Sequence, residues 1–275
     1  MSHQIQLNPN SLYPCCITRI GGTWHFIQVD DIITELKKEV DRYQSPKQQQ
    51  IRAIFAQMYP KRIKLLPIHQ QIHTSYEILR FYPQMKWIAI EIILANHKTL
   101  NPFHLEDVGK IIDTNIADQN SIEFLSKSLF VDLLSKCGEP FVNALENWKL
   151  LKDKPYRIRA CISTFAKLTK EKVNATVNEL ANKKIWGICE TCIRYDEKIV
   201  KVGVGCALKE LCLTNENKVV EFVRKNRQYF SKESLRHAVE KIKDLQIKKE
   251  FTSSGVIKKQ MAEVINASNK GSDDQ

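Results

Sequence analysis

Amphipathic helical segments follow one another along most of this 275-residue chain, separated by short breaks. One begins at Asp30–Asp31, after which apolar residues recur at the spacing of a single helix face. Prolines or glycines interrupt the pattern at Pro83, Pro102 and Gly138. Because a short helix cannot bury its apolar face alone, neighbouring helices must pack on one another. The sequence therefore predicts an all-α fold and favours an α-solenoid of HEAT-like antiparallel helix pairs over a bundle.

The predicted helices divide the chain into a repeat domain and two flanking segments. After two helices that begin near Asp30 and Pro46, helices are predicted near residues 67–80, 84–98, 103–114, 120–136, 139–150, 156–168, 170–185, 197–212, 215–228 and 231–243. They are expected to form one helical repeat domain, residues 29–265. Residues 1–28, which include Gly21–Gly22, are predicted to be an irregular arm, and the polar residues 266–275 a disordered tail.

The net charge of +11 indicates an acidic partner, and its distribution is uneven. Residues 156–260 contain 23 lysines and arginines against 12 acidic residues, whereas the rest of the chain has 19 of each. A basic face on the concave side of the solenoid would follow a phosphate backbone and account for this excess. The alternative is a set of solvated helix faces that happen to be basic.

No segment predicts membrane insertion or secretion. The longest apolar stretch, Trp87–Ala95, is interrupted by Glu91 and is far shorter than the ~20 residues that span a bilayer. The N-terminal residues contain Cys15 and Cys16 but lack the basic and apolar regions of a secretory signal. We therefore expect a reducing compartment, cytoplasmic or nuclear, in which the eight cysteines are free thiols.

The most specific motif is Lys201–Glu210, where Gly203 and Gly205 fall inside a predicted helix. A glycine costs ~1 kcal/mol relative to alanine in a helix interior, so something must approach the backbone closely here. Either a neighbouring helix or a DNA backbone would explain the two glycines. Ser231 is predicted to be the N-cap of a later helix, with Glu233 in its first turn.

These segments resemble the DNA alkylation repair (AlkD-like) family of DNA glycosylases. Lys201–Glu210 is similar to the family's Val-Gly-Trp-Ala-Leu-Arg-Glu helix. Lys218–Val223 and Ser231–Lys241 are similar to the Val-x-x-Phe and Ser-x-Glu-Ala/Ser-Leu helices that follow it. Asn147–Ser163 resembles the Trp and Trp-x-Arg-Arg-x-Ala segments, and the likeness is weaker over Asp118–Phe130. The resemblance spans most of the chain, with specific motifs only in its second half.

The resemblance implies binding of double-stranded DNA and hydrolysis of the glycosidic bond of N3- or N7-alkylated purines. Such a purine is cationic, so its glycosidic bond is already weak. The enzyme mainly has to stabilise an oxocarbenium-like sugar and place a water molecule. In the family, this role is attributed to a carboxylate and to two aromatic residues that contact the sugar and backbone. The damaged base is not extruded into a pocket, which is the usual mechanism of glycosylases. The resemblance implies no cofactor, and a monomer is expected.

At most positions that correspond to the family's site residues, this chain has a different residue type. The Trp-x-x-x-Asp pair corresponds to Gln119 and Glu123, with Asp118 as an alternative carboxylate in a shifted register. The second aromatic position corresponds to Cys206, so both aromatic surfaces are missing. Arg159 corresponds to the family's DNA-contacting arginine, whose planar guanidinium suits a phosphate.

Further residues are predicted to contact DNA because they carry a positive charge or an aromatic ring. Tyr156 or Trp186 is a candidate to replace a missing aromatic residue. Lys201, Lys209 and Arg224 are predicted to line one concave surface together with Arg159.

Two sequence patterns indicate other chemistry only weakly. Cys189 and Cys192 have the spacing of a metal-ligand or redox pair, but no second pair lies at finger-like spacing, so no metal is expected. His104 and Glu106 have the spacing of a deaminase motif without its downstream cysteines.

Three functions remain as hypotheses. The favoured one is a DNA-binding relative of the family that recognises damaged or distorted duplex through its backbone, with weak or absent glycosylase activity. The alternatives are an active glycosylase for cationic alkylpurines, and a HEAT scaffold for an acidic protein partner. The missing aromatic residues favour the first over the second, because a misplacement of about 1 Å can reduce a rate about a hundredfold.

Overall fold

Helices dominate the structure, a computed structural model that describes residues 19–20, 23–24, 27–115, 118–168 and 175–252. The first eight α-helices are α1 (Ile27–Val40), α2 (Gln48–Met58), α3 (Ile68–Phe81), α4 (Lys86–Ala95), α5 (Leu105–Asn115), α6 (Gln119–Leu125), α7 (Val131–Cys137) and α8 (Glu139–Glu146). The next six are α9 (Pro155–Leu168), α10 (Ala175–Cys192), α11 (Lys198–Leu211), α12 (Glu216–Lys225), α13 (Lys232–Ala238) and α14 (Leu245–Thr252). The all-α prediction is confirmed.

Short helical turns of other kinds join or extend these helices. Turns of 3₁₀-helix lie at Pro83–Met85, Pro102–His104, Asn147–Leu150 and Arg227–Tyr229, and π-helical turns lie at Tyr59–Ile63 and Ser126–Phe130. The second π turn joins α6 to α7, so that residues 119–137 form one continuous helix. This helix matches the one predicted near residues 120–136.

Two parts of the described chain were not predicted. Two strands, β1 (Arg19–Ile20) and β2 (Thr23–Trp24), pair antiparallel within the segment predicted to be an irregular arm. Helix α14 follows the last predicted helix. Residues 1–18 of the predicted arm and the whole predicted tail, 266–275, lie outside the described residues.

The chain divides into two compact units, Met1–Trp148 and Lys149–Gln275. In the first unit α3 packs against α1, α4 and α5, and α2 packs against α1 and α4. The rings of Trp87 in α4 and Phe124 in α6 lie 5.6 Å apart. The helices of this unit therefore pack as two alternating layers, α1 with α3 and α5, and α2 with α4 and α6, as in helical repeats.

The second unit shows the same alternation. Helix α11 packs against α9 on one side and α13 on the other, and α10 packs against both α9 and α11. The rings of Trp186 in α10 and Phe222 in α12 lie 6.1 Å apart, which places α10 and α12 in the other layer. Stacked helix pairs of this kind are the building blocks of the predicted solenoid. The single domain of residues 29–265 and its concave face remain predictions.

Helix α9 is the most buried helix of the second unit. All its residues from Arg157 to Ala166 are buried, and so is Leu168. A helix that is buried all round has no face left for solvent, which agrees with the packing of α9 against both α10 and α11. Two arginines, Arg157 and Arg159, are among these residues, so α9 carries charged side chains into the interior of the unit.

Candidate nucleic-acid interface

Arg159 lies inside the second unit, beneath α11. Its residue is 1% exposed, and its Nη1 donates a hydrogen bond to the carbonyl oxygen of Ile199 at 3.4 Å. A Cβ atom added to Gly203 would lie 2.8 Å from the Arg159 Cδ atom. In this arrangement the guanidinium supports α11 and has no surface for a phosphate. Contact with DNA would require it to leave this packing.

Gly205 provides a second close approach, on the other side of α11. A Cβ atom at this position would lie 2.2 Å from the carbonyl oxygen of Ser234, at the start of α13. Ser231 is the N-cap of α13, as predicted, and its Oγ accepts a hydrogen bond from the Ser234 amide. Of the two explanations offered for Gly203 and Gly205, the structure therefore favours helix packing.

Ion pairs join α11 to the segment around α13 on both sides of this contact. Lys198 Nζ lies 2.9 Å from a carboxylate oxygen of Glu233, and Lys209 Nζ lies 2.6 Å from one of Glu240. The hydrogen bonds from these lysines hold the pKa of each glutamate below its ordinary value. Lys209, predicted to contact DNA, is therefore engaged with a carboxylate.

The other two predicted cations are paired as well. Lys201 Nζ lies 3.7 Å from a carboxylate oxygen of Asp196. Arg224 makes a bidentate pair with Glu250, at 3.1 Å and 2.8 Å. Lys201 is on α11 and Arg224 is on α12, in the other layer. The structure thus gives Lys201, Lys209 and Arg224 each a neighbouring carboxylate, and it does not bring all four predicted cations onto one helix layer.

Asp118 and Gln119 lie at the N-terminus of α6. Asp118 is its N-cap: one carboxylate oxygen accepts a hydrogen bond from the Ser121 amide, and the other pairs with Lys86 of α4. Burial raises the pKa of Asp118, but the hydrogen bonds from Lys86 and Ser121 outweigh it and hold the pKa below its ordinary value. Asp118 is thus committed to capping α6 and joining it to α4.

The pairing of Asp118 with Lys86 predicts a pH-dependent contribution to stability. Asparagine also caps helices well, so Asp118→Asn keeps the cap and removes the charge. Because the pKa of Asp118 is lowered, its contribution is complete above the ordinary aspartate pKa of about 3.9 and is lost as the pH falls through the lowered value. Urea unfolding is expected to show the wild type more stable by up to about 1 kcal/mol at pH about 7. A difference that keeps the same size as the pH is lowered far below the ordinary aspartate pKa would contradict this.

Glu123, the other predicted carboxylate, lies one turn further along α6 and is half-buried. It is four residues from the exposed Gln119, so both side chains lie on the same side of the helix. The spacing required by the family's pair is therefore present, with glutamine in the aromatic position.

An aromatic cluster that was not predicted includes Phe124, the residue that follows Glu123 on α6. The half-buried rings of Trp87 and Phe124 meet edge to face, and the guanidinium carbon of Arg52 lies 5.4 Å and 5.3 Å from their centres. Glu91, one turn along α4 from Trp87, has an oxygen 2.6 Å from Arg52 Nε. The only signal in the sequence was that Phe124 follows Glu123 directly. The site has aromatic rings, but at positions other than the family's.

The residues offered as aromatic replacements belong to the second unit. The Trp186 ring packs against Phe222, and Lys218 Nζ lies 4.4 Å from its centre, which places Trp186 between α10 and α12. Tyr156 is half-buried in the first turn of α9, and Cys206 is half-buried on α11. Trp186 is therefore in the other layer from Cys206, one of the two positions that lack the family's aromatic ring.

Cys189 and Cys192 are buried in α10. Burial raises the pKa of both thiols, that of Cys192 to about 12, so both are protonated at neutral pH. Metal binding and redox exchange require the thiolate, which this environment disfavours. Within the described ranges, no group of three or more histidine, cysteine, aspartate or glutamate residues could hold a metal ion. Among the helices of those ranges, none is both long and apolar enough to cross a bilayer.

A family model described as DNA alkylation repair enzyme matches residues 84–242, more than half of the chain. The matched segment runs from the turn before α4 to just beyond α13 and includes Glu123, Arg159 and both closely packed glycines of α11. No match was found among curated proteins.

Proposed function

Because this chain belongs to the family of DNA alkylation repair enzymes, we propose that it acts in DNA repair by binding damaged or distorted double-stranded DNA through the phosphate backbone. We assign it weak or absent glycosylase activity. Membership of the family supports the DNA target, and the basic excess of residues 156–260 supports contact with phosphates.

The proposal of weak glycosylase activity rests on the residue types at the positions that correspond to the family's site. The carboxylate Glu123 is present, but Gln119 and Cys206 stand where the family has aromatic residues. Neither side chain can present a ring to the sugar. Without those rings, the oxocarbenium-like sugar and the attacking water are held less accurately, and accurate placement carries much of the rate.

A second candidate, an active glycosylase for cationic alkylpurines, is supported by the cluster of Trp87, Phe124 and Arg52. Phe124 directly follows Glu123 on α6, and Trp87 of α4 and Arg52 of α2 pack against its ring. Stacking of a base on such a ring is worth about 1–3 kcal/mol. In this alternative the cluster performs the role of the family's missing aromatic residues.

Release of N3-methyladenine and N7-methylguanine from methylated duplex DNA separates the two candidates. We expect little or no release by the wild type, together with duplex binding that weakens steeply as salt rises. The matched variants are Glu123→Gln and, as control, Glu179→Gln, an exposed glutamate of α10. Efficient release that is lost in Glu123→Gln and in Trp87→Leu, but kept in Glu179→Gln, would replace our proposal by the active glycosylase.

A further inference from the structure

An open cleft of about 690 Å³ lies within the second unit, and the closely packed glycines of α11 do not line it. Its walls are the 3₁₀ turn before α9 and the turn that follows α10, and its floor is the last two turns of α10. The residues used below are Lys149, Lys152, Gly187, Thr191, Arg194 and Tyr195. We propose that this cleft binds phosphates of a DNA strand and forms a second DNA contact, an inference that rests on the proposed function.

Two cations of the cleft are held by aromatic rings. Lys152 Nζ lies 5.8 Å from the centre of the Tyr195 ring, and the guanidinium carbon of Arg194 lies 5.3 Å from the centre of the Tyr229 ring. Within the described part of the chain, neither cation lies within ion-pair distance of a carboxylate, and Arg194 interacts with the Glu190 carboxylate only from further away. A cation over a ring is oriented but keeps its net charge. These cations therefore differ from Lys209 and Arg224, whose charges are offset by glutamates.

The single carboxylate of the cleft is itself offset. Glu190 has an oxygen 2.7 Å from Lys225 Nζ of α12, and that hydrogen bond holds the pKa of Glu190 below its ordinary value. Lys152 and Arg194 therefore share the cleft with one carboxylate, and Lys225, which does not line the cleft, pairs with that carboxylate. The local charge therefore favours an anion.

Gly187 gives the cleft a floor of bare helix backbone. It lies within α10, yet no atom lies within 4 Å of the position that its Cβ would take. The other two helical glycines described above are explained by contact with Arg159 and Ser234, but Gly187 has no packing partner of this kind. A glycine in a helix costs about 1 kcal/mol relative to alanine. Close approach of a ligand backbone is a use of glycine that would offset this cost.

The walls of the cleft are fixed before a ligand arrives. The Tyr195 hydroxyl donates a hydrogen bond to the Lys149 carbonyl oxygen at 2.7 Å, which ties one wall to the other. The Thr191 hydroxyl donates to the Gly187 carbonyl oxygen at 3.0 Å. Because both hydroxyl protons are used inside the protein, the ligand is recognised by the ammonium and guanidinium groups. Recognition of this type reads phosphates and carries no base sequence.

The test compares two charge reversals of equal size in the full chain. Lys152→Glu/Arg194→Glu changes the cleft, and Lys183→Glu/Lys241→Glu changes two exposed lysines that do not line it. Binding to a short duplex is measured over a range of salt concentrations. Each phosphate contact contributes about 0.9 to the steepness with which the logarithm of the binding constant falls against the logarithm of the salt concentration. This slope is therefore expected to become less steep by about 2 in the cleft variant. In the control variant it is expected to stay at the wild-type value.

A neutral variant keeps the test independent of charge. Gly187→Gln fills the cleft floor where there is open space, so the fold is retained and binding is expected to weaken by about tenfold. Equal slopes in both charge variants, or unchanged binding by Gly187→Gln, would overturn the cleft proposal and leave DNA binding intact. A wild type that shows no salt-sensitive binding would overturn the proposed function as well. Displacement of DNA by sub-millimolar inorganic phosphate at constant ionic strength would identify a small-anion site and overturn the strand assignment.

Discussion

Arg159→Ala is expected to lower the free energy of unfolding by about 2–5 kcal/mol, the range for removing a large buried side chain. The substitution empties the space beneath Gly203 and removes the hydrogen bond to the Ile199 carbonyl oxygen. Urea denaturation measures the change. The control is Arg236→Ala, an exposed arginine of α13, which is expected to change stability by less than about 0.5 kcal/mol.

The same variant separates a buried support from a phosphate contact. If Arg159 acts as a support, the salt slope of DNA binding by the folded variant equals that of the wild type. A slope reduced by about 1, with stability unchanged, would restore the direct contact predicted from the family resemblance. Arg159→Met retains most of the aliphatic volume, so it is expected to stay folded and allows the binding measurement in case the alanine variant unfolds.

Gly205→Ala is expected to lower the free energy of unfolding by about 1–3 kcal/mol, although alanine is the better helix former. The new Cβ would lie 2.2 Å from the carbonyl oxygen and 3.0 Å from the Cα of Ser234. These are backbone atoms, so relief requires α13 to move as a whole. Thermal and urea denaturation measure the loss.

Gly187→Ala is the matched control, with the opposite sign expected. It makes the same chemical change inside a helix, but with nothing within 4 Å of the new methyl group. Stability is expected to rise by up to about 1 kcal/mol. If both alanine variants stabilised the protein, α11 and α13 would not be in the close contact described.

The helices were predictable from the sequence because amphipathic periodicity is local. The predicted helix near 197–212 corresponds to α11 (Lys198–Leu211), and the N-cap at Ser231 depends on the next three residues alone. The helix predicted near 170–185 instead ends at Cys192. Its last two turns form the floor of the cleft, which the sequence did not indicate.

The environment of the candidate site was less predictable because it depends on contacts distant in sequence. Arginine is rarely fully buried, so nothing in the local pattern indicated that Arg159 packs under a helix 40 residues away. The partner of Arg224 is Glu250, 26 residues on, in a helix that was not predicted. The ring of Trp87 likewise reaches Phe124 only through the packing of α4 against α6.

The two close approaches on α11 also determine how the second unit is expected to unfold. In many helical repeats each repeat contributes its own stability and unfolding proceeds segment by segment from an end. Here α9 approaches at Gly203 and α13 at Gly205, two positions of one helical turn. Loss of either neighbour would leave one face of this turn of α11 uncovered. We therefore expect these three helices to unfold as one cooperative unit, with hydrogen exchange of their amides governed by one shared opening free energy.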